Sequence, residues 1–138
     1  MNKKAKTKWD IELLEYTLAK FNKIRAWLVD NGQKSFNNKQ IFKIPCRFCQ
    51  YYFSSFYCEE CPLRELPGTE NIAIDETPCI NNEMKDTYNY LDWGRDAFRL
   101  GPDCVSVNVK TQKDYDMVLI WLNWFINNCE KIMTRLEK

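Results

Sequence analysis

Histidine is absent from this chain, glycine occurs only four times in 138 residues, and no run of 18 apolar residues occurs anywhere. Each absence excludes something. Without imidazole there is neither the usual general base nor the ligand that open catalytic zinc sites ordinarily include. Four glycines leave no phosphate-cradling loop, and neither a nucleophile elbow nor a Walker or dinucleotide motif is present. The longest apolar candidate is interrupted by Asn123, Asn127 and Asn128, too early for a membrane span. The first eight residues are charged and lead into an amphipathic run with Asp10, Glu12 and Glu15. That pattern lacks a signal-peptide core, so a cytoplasmic protein is expected.

What the chain does have is aromatic and sulfur-rich. Aromatics are 14% of the residues, five of them Trp, and there are seven cysteines. An odd count in a reducing compartment argues against a disulfide framework and for metal ligation or plain burial. Charge nearly cancels at +1, but unevenly. Residues 1–47 carry eleven basic and four acidic side chains, whereas 59–92 carry two basic and nine acidic. A chain of this length fits a single domain, 1–138, with a core of its own.

The periodicity predicts a mainly α fold with minor β. Ile11, Leu14, Leu18, Phe21, Arg25 and Leu28 step by threes and fours, giving a helix over 9–31 that stops at Asn31-Gly32. The alternation Ile41-Phe42-Lys43-Ile44 reads as a short strand, and Pro45 ends it. A loop-rich module spans 40–80, with a second helix over 83–100 that Gly94 would weaken near Trp93. Residues 104–109 alternate as a strand. Thr111 then caps a helix over 111–137, striped by Tyr115, Val118, Leu122, Phe125, Cys129, Ile132 and Leu136. The two terminal helices are expected to pack together. The broad apolar face around Trp121, Trp124 and Ile126 raises a homodimer beside the monomer.

Two C-x2-C knuckles, Cys46/Cys49 and Cys58/Cys61, lie eight residues apart. Paired knuckles offer four soft thiolates, a donor set suited to one structural Zn²⁺ with Zn–S near ~2.3 Å. Eight extended residues can reach ~26 Å, ample for the chain to return to a shared ion. Iron–sulfur spacings do not match, and a redox C-x2-C would stand alone at a βα junction. Cys79, with seventeen residues between it and Cys61, is an alternative ligand; Cys104 and Cys129 read as packed thiols.

Six rings fall within ten residues at Phe48, Tyr51, Tyr52, Phe53, Phe56 and Tyr57. They can fill a small zinc module, stack bases, or meet a protein. No basic residue lies between 47 and 64 to follow a phosphate backbone, which favours filler over nucleic acid. Tyr51, Tyr52, Phe53, Glu59, Glu60, Trp121 and Trp124 are the candidate partner-binding residues.

The order Cys46-x2-Cys49, Cys58-x2-Cys61-Pro62-Leu63, Cys79, then Tyr88, Tyr90 and Trp93 resembles small cysteine-rich proteins of phages and prophages of Gram-positive bacteria. That resemblance covers residues 46–99. It implies a zinc knuckle and mobile-element origin, hence the host-cell cytoplasm. By analogy, it also implies a non-enzymatic, anti-CRISPR-like inhibitor that binds a host protein, such as a nucleic-acid-handling defence protein. The alternative is a zinc-containing nucleic-acid-binding regulator, for which the basic N-terminal third argues and the balanced total charge does not.

Overall fold

The computed structural model describes residues 2–48, 60–73 and 76–138. Its frame is a pair of long helices backed by a small sheet.

Helix α1 runs Lys3–Asn31, starting well before the expected position 9. Its first turn has no apolar period, but it has a cap: Asn2 Oδ1 accepts the Ala5 N–H at 2.8 Å, and Lys6 pairs with Asp10 at 2.6 Å. The helix stops at Gly32, whose φ of 52° reverses the chain while its N–H returns to the Leu28 carbonyl. A 3₁₀ turn, Gly32–Ser35, leads on to strand β1, Gln40–Phe42.

The expected helix over 83–100 is corrected. Only Lys85–Asn89 is α-helical (α2); Tyr90–Gly94 widens into a π turn, and Phe98–Leu100 is strand β2. Gly94 and the left-handed Asp96, at φ 51°, break the helix, and the Ala97 N–H closes it on the Leu91 carbonyl at 2.7 Å. The apolar residues Ala97, Phe98 and Leu100 follow a strand's alternation rather than a helix's. Strand β3, Val105–Val107, falls within the expected 104–109.

All pairing is antiparallel, in the order β1-β3-β2, with Phe42 opposite Val105 and Val105 opposite Leu100. One face buries Phe42, Phe98, Val105 and Val107, while Ile41 and Arg99, both opposite Ser106, point outward. Helix α3, Gln112–Leu136, begins as expected: Thr111 Oγ1 accepts the Asp114 N–H at 3.2 Å.

Helices α1 and α3 lie side by side and antiparallel. Tyr115 Oη donates to the Leu28 carbonyl at 3.1 Å at one end, Arg25 donates to Asn123 at 2.8 Å, and Phe21 meets Phe125 edge-on at 4.8 Å further along. Leu14, Leu18, Val118 and Leu122 are buried with them. Trp121 ties the layers together. Its ring stacks on Phe125 at 5.0 Å and lies 5.2 Å from Phe98, 6.0 Å from Phe21 and 6.2 Å from Tyr88. The breadth of the apolar face on α3 therefore has an internal cause: the sheet and α2 cover what α1 leaves. Among the described residues no helix is long and apolar enough to cross a membrane.

Candidate metal site and adjoining cavity

Of the four expected zinc ligands, Cys46 and Cys61 are described, whereas Cys49 and Cys58 lie outside the described residues. Cys46 is fixed by its N–H, which donates to the Pro102 carbonyl at 2.9 Å in the turn between β2 and β3. Next to it, Arg47 places its guanidinium 4.4 Å from the Tyr16 ring, holding this segment against α1. Cys61 caps the 3₁₀ turn Pro62–Glu65, with its carbonyl accepting from Arg64 N–H at 3.0 Å. Pro62, Leu63 and Leu66 anchor that turn in the core.

The Cys61 thiol is pushed up, first by burial and then by neighbouring Cys79 and Cys46. Cys79 in turn raises the buried Cys129 thiol, behind the larger effect of burial. One thiol from each knuckle thus lies within electrostatic reach of the other, and Cys79 acts on Cys61 as well. Among the described residues no three Cys, Asp or Glu side chains come together as a metal-binding group. The donor chemistry of the expected quartet is all sulfur, one of the sets that structural zinc takes, with half of the quartet outside the described residues.

Cys46 and Cys79 also border a cavity of about 250 Å³. Thr17 and Phe21 of α1, Phe125 of α3, Leu63, Leu100, Val105, Thr77 and Ile80 form most of its wall. Lys20 reaches this wall with its ammonium 5.2 Å from the Phe21 ring. No sequence pattern marks the cavity, because its lining comes from six separate segments.

The partner-binding candidates separate. Tyr51, Tyr52, Phe53 and Glu59 lie outside the described residues. Trp121 is corrected: at 0% exposure it belongs to the chain's own core and cannot meet a partner. Trp124 is half-buried, donating through Nε1 to Glu83 at 2.6 Å. Glu60 is exposed, as are Glu65, Glu70, Glu76, Glu83 and Asp86. Glu65 pairs with Arg135, and buried Asp92 with Arg99 at 2.9 Å. Most of the acidic run therefore faces solvent. Trp93, which is 81% exposed, and Ile120, at 57%, were not among the partner-binding candidates. Its neighbour Gly94 was the available signal for Trp93, since a break in the helix turns that indole away from the core.

The fold and site define a mainly helical α+β domain, with a long antiparallel helix pair, a three-stranded antiparallel sheet and a cysteine-bearing loop region. Comparison of the chain with family models, with curated proteins and with solved structures finds no match.

Proposed function

We propose that this is a non-enzymatic protein of a phage or other mobile element that binds a basic surface on a host protein and inhibits it, a nucleic-acid-handling defence protein being the expected target class. The observation that carries this reading is the solvent-facing acidic run of Glu60, Glu70, Glu76, Glu83 and Asp86, with the exposed Trp93 just beyond it. Exposed carboxylates close together in the chain, followed by a bare indole, offer charge steering and an aromatic anchor for a cationic groove. The knuckle motif supports the mobile-element origin by its resemblance to small phage proteins. A single structural Zn²⁺ on Cys46, Cys49, Cys58 and Cys61, with Cys79 as the alternative ligand, would hold the cysteine-bearing segments together, and the zinc would supply folding energy rather than chemistry.

The experiment is capture from host lysate by immobilised protein, with Glu70→Lys/Glu76→Lys alongside. A retained host protein that is lost on charge reversal and weakened by salt supports the reading. Retention equal for both proteins refutes it. The second reading, a nucleic-acid-binding regulator, draws on the exposed Lys3, Lys4 and Lys8 along the first turns of α1. A salt-dependent gel shift abolished by Lys3→Glu/Lys4→Glu would favour it instead.

A further inference from the structure

The cavity beside Cys46 and Cys79 is larger than packing alone leaves in a folded interior, where voids bigger than a water molecule are few. An apolar cavity of roughly 150 Å³ already stays dry and takes up benzene. Here about 250 Å³ lies between α1, α3, β3 and the 77–80 turn and opens partly to solvent, with exposed Pro102 in its lining. Its surface is carbon-rich: the rings of Phe21 and Phe125 and the branched side chains of Val105 and Ile80 dominate, with the threonines 17 and 77 as sparse polar points. Ligand pockets have this make-up, an apolar wall carrying a few groups that orient the guest.

The charge on the wall decides what class of guest fits. Among the described residues no acidic side chain lines the cavity, and the one charged side chain that does, Lys20, has its ammonium engaged over the Phe21 ring. An organic cation would find no carboxylate here among the described residues, and an anion would have to compete with that contact. We propose that the cavity is a binding site for a neutral, largely apolar small organic molecule, aromatic or branched, held by burial and oriented by a threonine hydroxyl. None of the exposed acidic residues of the proposed partner-binding run lines it.

The test uses the full chain as purified, with its metal content recorded, and the neutral fluorophore N-phenyl-1-naphthylamine as probe. Saturable enhancement of probe fluorescence with one site per chain is expected. Thr17→Phe and Thr77→Phe, which fill the cavity from two of its walls, should each weaken that binding at least tenfold while circular dichroism stays native. In wild-type protein, cross-relaxation from probe protons to the Val105 and Ile80 methyl groups locates the site without any substitution. Absence of saturable binding overturns the proposal. So does binding of undiminished strength in natively folded filled variants, or cross-relaxation confined to residues outside the cavity.

Discussion

Gly68 stands at φ 89°, and a Cβ there would lie 2.3 Å from the Glu83 backbone nitrogen, whose N–H donates to the Pro67 carbonyl. Both the left-handed conformation and the close approach demand glycine. Gly68→Ala should therefore lower unfolding stability by about 2 kcal/mol or more, read from the midpoint of a urea titration. An unchanged midpoint would show that the 66–69 turn does not press on Glu83. Asp114 is the other residue whose local role is sharp. Fully buried, it takes Arg95 Nε at 3.0 Å, Arg95 Nη2 at 3.2 Å and the Lys110 N–H at 3.1 Å. Burial alone would raise its carboxyl, but the Arg95 and Lys110 hydrogen bonds outweigh that and hold it below the ordinary carboxylate range. A depressed folded-state value means that the stabilisation is fully present above the unfolded carboxylate value near ~4 and fades as pH falls through the folded one. Asp114→Asn should lose stability at neutral pH and show a flatter acid limb than the wild type. Parallel acid limbs for the two proteins would remove Asp114 from that account.

At the scale of elements, legibility followed the strength of the local period. α3 was readable almost to the residue, because its three-four stripe coincides with a Thr111 cap and nothing interrupts it. The start of α1 was not, since Asn2 and an ion pair, rather than apolar spacing, set it. The stretch from 83 to 100 failed for a different reason. A run of Leu, Ala, Phe and Leu suits either period, and the decision rests on Asp96 adopting a left-handed conformation and on β3 supplying a partner from elsewhere in the chain. The cysteine spacing was legible as chemistry but not as geometry; the cavity, assembled from distant segments, had no local signature at all. The proposed zinc module makes a test at this scale. One zinc per chain is expected by elemental analysis, with Cys46→Ser and Cys61→Ser each losing it and Cys129→Ala retaining it, because Cys129 packs in α3 as an apolar thiol. Full zinc in Cys61→Ser, or iron with visible absorbance in the wild type, would overturn that ligand set. Cys79→Ser decides the alternative: retained zinc leaves the two knuckles as the whole shell, and lost zinc places Cys79 in it.

Across the whole molecule, the α1–α3 seam and the Trp121 hub act as one core. Leu18 and Leu122 are buried in the seam, Phe21 reaches from α1 to both Trp121 and Phe125, and Trp121 passes those contacts on to Tyr88 of α2 and Phe98 of β2. A charge placed in the seam therefore cannot be relieved by fraying one helix alone, since α3 also carries the inner face of the sheet and α2. Leu122→Asp would bury a carboxylate at a position that is 0% exposed, at a cost of several kcal/mol. Both long helices and the sheet should then lose structure in a single transition, seen as coincident loss of far-ultraviolet helical signal and of near-ultraviolet aromatic signal from the Trp121 cluster. Raising the pH should deepen the effect and acidification should soften it, because protonating the introduced carboxyl removes the buried charge. A Leu122→Asp protein with unchanged helicity would refute the seam. Two separated transitions, the helix signal persisting after the aromatic signal is gone, would instead show that the helix pair stands without the Trp121 hub.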